Sequence, residues 1–303
     1  MGQQERVLIG TSEGLHELGT PHRSCLAGSE VTALATAAGH WWAIVDGRTV
    51  LHRDVDGPWD EVAAVPESPA TCLAPTASGL LVGTTGAHLF RVEAGALVRL
   101  DAFETVEGRE AWHTPWGDPP DTRSMAADLS GGIYVNVHVG GVVRSTDGGH
   151  SWRPTLDIDT DVHQVLVHPD LSGHVFAASA VGLAMSADGG ESWRILTEGL
   201  HARYLRAVAV AGETVLVSAS TGPGGRRAAL YRTRADGRGE FERCRQGLPE
   251  WLGDNVDTHC LAARGATVVV GTGDGRVYAS ADGGASFARL TKSLPAIQCV
   301  TLA

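Results

Sequence analysis

A handful of histidines, arginines and aspartates hold most of the chemistry available to this chain. Arg123, His163, Arg206 and His259 each stand second in a short apolar segment, in Thr122–Ala126, Val162–Leu166, Leu205–Ala209 and Thr258–Ala262. Asp121, Asp161 and Asp257 stand immediately before three of those segments. His138 closes another apolar run, in Val137-His-Val-Gly-Gly141, and Tyr204 lies two residues before Arg206. Two chemistries follow. Neutral imidazoles suit Zn, Cu, Fe or Ni, and three protein ligands leave a coordination position open for water or substrate. His138, His163 and His259 are the expected ligands, with the aspartates orienting the rings through their second nitrogens. Guanidinium groups match carboxylate or phosphate bidentately, which makes Arg123 and Arg206 the expected grip on a small anion.

These residues are far apart in sequence, so something regular must bring them together. Seven apolar runs recur: Val7–Ile9, Trp42–Ile44, Leu80–Val82, Ile133–Val135, Val175–Ala177, Val215–Val217 and Val268–Val270. Each reads as a buried strand. Seven further segments precede such runs or end the chain: the four above, Val31–Ala35, Ala70–Ala74 and Ile297–Thr301. Their second positions read Arg123, His163, Arg206, His259, Gln298, Thr32 and Thr71. Dividing 303 residues by seven gives about 43 per unit, in the range of a four-stranded propeller blade. The chain starts on a second strand and ends on an innermost one. The last segment is therefore expected to complete the first blade, which closes the ring and hides its edges.

Three turns have the form S-x-D-G-G-x-S-[W/F], at Ser145–Trp152, Ser186–Trp193 and Ser280–Phe287. Ser and Asp can bond nearby backbone N–H groups, and the glycines supply positive φ. This motif resembles the Asp-box, or BNR, repeat of sialidases, sortilin-type receptors and photosystem assembly factors. The resemblance implies an all-β, seven-bladed propeller of four-stranded antiparallel blades, one domain over residues 1–303, with the turns on the face away from the polar set. It does not imply a sialidase. Of the three substrate-binding arginines of that family only Arg123 and Arg206 fall in register, Arg6 is followed by Val7 and Leu8, and Tyr204 has no registered Glu. No carboxylate pair of the kind retaining glycosidases need is evident.

Composition narrows the partners. A formal net charge of −11 disfavours nucleic acid, which needs a basic face. No apolar run is long enough to span a bilayer, and the first residues carry no apolar leader, so a cytoplasmic location is the expectation. The five Cys follow no framework spacing. Cys72, Cys260 and Cys299 share one registered position, where small residues pack. An insertion near 101–121 holds Trp112, His113, Trp116 and several prolines, and leads into Arg123. His113 or Asp121 is the expected general base for hydrolytic or lyase-type chemistry at a metal. The other reading is a non-catalytic scaffold whose arginines hold an acidic peptide or a carboxylate terminus. His40, His52 and the remaining histidines read as surface or packing residues.

Overall fold

A computed structural model describes residues 6–19, 22–65, 68–291 and 293–303. Its strands form seven four-stranded antiparallel sheets arranged as the blades of a ring. Each expected apolar run is the second strand of a blade, buried on both faces where neighbouring blades pack, as in Ile133–Val137 and Val175–Ser179. The closing strand is Ile297–Leu302. It pairs antiparallel with Val7–Thr11, so the last segment completes the first blade as its innermost strand and closes the ring. The expected fold is the observed one.

The core lies between blades. One apolar cluster joins Cys72, Leu81 and Leu89 of the third blade to Met125, Val135 and Val143 of the fourth, with Phe103 of the insertion between them. Trp152 meets Phe103 edge-on, with ring centroids 5.2 Å apart. The three S-x-D-G-G-x-S turns share one bonding scheme. In the first, Ser145 Oγ donates to Asp147 Oδ1 (2.8 Å) and accepts from the Gly149 N–H (2.9 Å), while Asp147 accepts from the Ser151 N–H (2.9 Å). The same bonds recur at Ser186–Ser192 and Ser280–Ser286. Each turn follows a third strand. Antiparallel pairing therefore puts it at the opposite end of the blade from the start of the innermost strand.

The innermost strands have an irregularity that the sequence pattern did not show. In six of them the pairing slips where the registered residue stands: between Val31 and Ala33, Ala70 and Cys72, Thr122 and Ser124, Val162 and Gln164, Leu205 and Val208, and Ile297 and Cys299. Thr32, Thr71, Arg123, His163, Arg206 and Gln298 are thus β-bulge residues. A bulge frees one residue from the ladder and re-aims its side chain, here at the channel mouth. The seventh blade departs from the expected pattern. Its innermost strand begins only at Leu261, and Thr258–Cys260 is a turn rather than strand, because His259 has φ +65° and the Cys260 N–H bonds the Asp257 carbonyl (2.9 Å).

All five cysteines are free. Cys72 donates its thiol to the Thr122 carbonyl (3.3 Å), and Cys299 to that of Val31 (3.5 Å). Each thereby stitches one innermost strand to the next, as a small packing residue should. Burial pushes both thiols up to about 12, which leaves almost no thiolate at neutral pH. A thiol reagent added to native protein is expected to label Cys25 alone, the one that is partly exposed, and all five after denaturation. Fast native labelling at Cys72 or Cys299 would contradict this packing.

Candidate functional site

The mouth of the channel is built where innermost strands start and second strands end. The expected residues meet here from four blades. Arg123 crosses the channel to the seventh blade: its Nε donates to Thr258 Oγ1 (3.2 Å), and one terminal nitrogen reaches Asp257 Oδ1 (3.5 Å). Its other terminal nitrogen lies 3.2 Å from Nε2 of His138. Arg206 donates to the same Asp257 oxygen (2.7 Å) and approaches the Tyr204 hydroxyl (3.5 Å). Two guanidinium groups thus converge on one carboxylate, which is half exposed. Burial works against the Arg206 charge, yet Asp257 and Tyr204 together raise the group. Arg123 is lowered, by burial and then by the Arg206 charge.

His163 is fully buried. Its Nδ1 lies 2.6 Å from the Leu205 carbonyl, which can only accept, so the proton sits on Nδ1 and the Nε2 lone pair is free. That Nε2 has no hydrogen-bonding partner among the described residues, and neither has Oδ1 of Asp161. The two atoms are 3.8 Å apart, and His138 Nε2 is 3.7 Å from the same Asp161 oxygen. One donor atom from each of His138, Asp161 and His163 lies within 4.8 Å of the others. Burial, and next the charge of Arg123, pushes both imidazoles down to about 3, so both are neutral near pH 7. Burial raises the Asp161 carboxyl above its ordinary range.

His259 does not join this group. Its ring bonds the Arg123 backbone carbonyl, its Nε2 is unpartnered, and burial lowers it to about 4. The left-handed backbone at His259 takes the side chain out of the register that the repeat implied. The expected partner orienting the His163 ring is Asp161; in the structure the Leu205 carbonyl holds its Nδ1. Asp161 has φ +47°, and Val139, next to His138, has φ +44°. A β-branched residue in that region is strained. One outlier is thus Asp161 itself and the other adjoins His138.

The insertion caps this face. Its Phe103 and Trp112 are buried and anchor it, while Trp116 is 62% exposed and sets its ring edge-on to His138, with centroids 5.1 Å apart. His113 is exposed, its ring bonded to the Ala111 carbonyl (3.1 Å), and its N–H meets the Val139 carbonyl (3.4 Å). Asp121 is half buried and raised by that burial, and its carbonyl accepts from the His138 N–H (2.9 Å). Beside Arg206 a cleft of about 190 Å³ opens, lined by Pro223, Asp254, Asn255, Asp257 and Gly273 among others.

No family model matches this chain, and no curated protein matches it in sequence. Solved structures do match. The chain is similar over 99% of its length to 98% of a chain from a nidogen/laminin complex (10% identity, TM-score 0.59). It is similar over 80% of its length to 78% of YCF48 bound to a D1 peptide (16% identity, TM-score 0.56). A third is the GH74 xyloglucanase from Xanthomonas campestris (15% identity, TM-score 0.58), of which this chain covers 47% with 95% of its own length. What they share is the fold. At these identities the site residues must be argued from this chain alone. Among the described residues no helix is long and apolar enough to cross a membrane.

Proposed function

We propose that the channel mouth binds a divalent metal through His138, Asp161 and His163, and holds a small carboxylate or phosphate with Arg123 and Arg206 for hydrolytic or lyase-type chemistry. One observation carries this reading. The buried His163 Nε2, its tautomer set by a backbone carbonyl, and the unpartnered Asp161 oxygen face the same point as His138. Backbone-oriented imidazole is the usual outer shell of a metal-bound histidine. Two imidazoles and one carboxylate leave positions open and suit Zn, Fe, Cu or Ni. Asp161 takes the place expected of His259.

The two functions are coupled through Arg123. The Arg123 guanidinium lies 3.2 Å from the His138 Nε2 that would ligate the metal, and with that nitrogen so engaged Arg123 would be free to turn toward an anion. Asp257 already sits between the arginines as an internal carboxylate. An incoming anion replaces it or stacks beside it. Asp121, raised by burial, and the exposed His113 stand on the capping side and would serve as bases toward a water at the mouth, whose acidity a bound metal would increase.

The test is calorimetric titration with inorganic phosphate, with and without zinc. Phosphate is expected to bind more tightly with zinc present, about tenfold more weakly in Arg206→Gln, and more tightly than wild type in Asp257→Ala. Equal phosphate binding in all three proteins would overturn the anion reading. A peptide-binding reading has its own support, since YCF48 is a similar propeller seen with a peptide and the exposed Trp116 stands beside His138 at the mouth. In that case a short peptide with a free carboxylate terminus competes with phosphate, and zinc has no effect on either.

A further inference from the structure

The second blade carries a different cluster, on its two middle strands. His40–Val45 pairs antiparallel with Thr49–Asp54, and the register sets His40 opposite Asp54 and Trp42 opposite His52. Side chains two apart on a strand share a face, so His40, His52, Asp54 and Trp42 all stand on one side of the sheet. Arg53 points to the other side, where it is buried. His40 Nδ1 lies 3.1 Å from His52 Nε2 and 2.8 Å from Asp54 Oδ1, and His52 Nε2 is 3.7 Å from that same oxygen.

We infer that this triad is a second binding site for a late first-row divalent ion, Zn, Cu or Ni, independent of the channel mouth. Ligand atoms held about 2.0–2.1 Å from one ion lie about 2.9 Å apart at right angles and about 3.3 Å apart in a tetrahedron. The three separations here bracket those values, so the ion enters with little movement of the donors. The donor set is right for these metals, two imidazole nitrogens and one carboxylate oxygen. Both strands belong to a regular ladder, and donors on paired strands lose little freedom on binding. One proton can serve the contact between the two imidazole nitrogens, and a metal replaces it while serving the carboxylate as well. The site is open, with Asp54 and His40 more exposed than His52, so the remaining positions face solvent. His40, Trp42, His52 and Asp54 are placed symmetrically about Gly47 of the hairpin, and only the pairing shows that the symmetry is spatial.

The experiment uses the His163→Ala protein, in which the channel site has lost a ligand. Equilibrium dialysis with copper or nickel alone is expected to show one bound equivalent, and Trp42 reports it, since its ring centroid is 5.5 Å from that of His52 and paramagnetic ions quench nearby indoles. Adding His52→Ala or His40→Ala should weaken that equivalent by at least about tenfold. Trp42→Phe should keep the binding and lose the matching part of the quench. Asp54→Asn should weaken binding while leaving the fold untouched at an exposed position. Undiminished binding in the His40→Ala and His52→Ala proteins overturns the inference. Absence of a bound equivalent in His163→Ala itself does the same, whatever the channel mouth is found to do.

Discussion

His163→Ala is expected to lower zinc affinity at the channel mouth by on the order of 100-fold, and Asp161→Asn by a comparable factor, whereas His259→Ala leaves it within about threefold. Loss of an outer-shell partner alone commonly costs 10–100-fold, and a direct ligand costs at least as much. The comparison of Asp161 with His259 is the informative part. Repeat register put three histidines at one face; the backbone put His259 in a left-handed turn against the Arg123 carbonyl and turned Asp161 inward. Titration with zinc in a His40→Ala background, which removes the second-blade cluster, isolates the mouth. Equal affinities in wild type and His163→Ala would sink the metal reading, and a large loss in His259→Ala with none in Asp161→Asn would restore the three-histidine set.

Glu17→Ala is expected to destabilise the protein by about 3–5 kcal/mol. Glu17 and Arg53 form an ion pair of 2.6 Å between the first and second blades, both side chains under 10% exposed. The guanidinium lies between the rings of Trp41 and Trp59, at 4.3 and 4.9 Å from their centroids. Removal of Glu17 leaves a buried cation with no counter-charge in a site too apolar to hydrate it. Removal of both charges is different. Glu17→Leu with Arg53→Met is expected to recover most of the loss, because neither ion is then desolvated. Chemical denaturation of the three proteins, read by tryptophan fluorescence, checks both statements. A Glu17→Ala midpoint equal to wild type would mean that the pair is hydrated in solution. A double variant as unstable as the single one would mean that packing by the arginine stem, rather than charge balance, holds this blade junction.

The two cases mark different limits of reading a sequence. Blade number, blade composition and closure by Ile297–Leu302 were all legible, because each blade repeats the same apolar run and the same turn chemistry. The register even selected the positions that turn out to be bulged, Thr32, Thr71, Arg123, His163, Arg206 and Gln298, although nothing in the pattern announced a bulge. The pairing of both arginines with Asp257 was not legible. It depends on side chains of the fourth and sixth blades reaching a turn of the seventh across the channel. His40, His52 and Asp54 were passed over because each is unremarkable alone, and cross-strand distances appear only once the hairpin is paired.

By itself, then, the amino-acid sequence determined the ring and the face on which polar groups collect. Strand periodicity and turn residues act locally and recur, so their consequences repeat from blade to blade. The tertiary structure alone decided which of those groups are donors, which are paired and which face away. That outcome rests on single φ values at Val139, Asp161 and His259, on the tautomer that the Leu205 carbonyl imposes on His163, and on contacts across the channel. None of these repeats, and a repeat is the only thing a register can read.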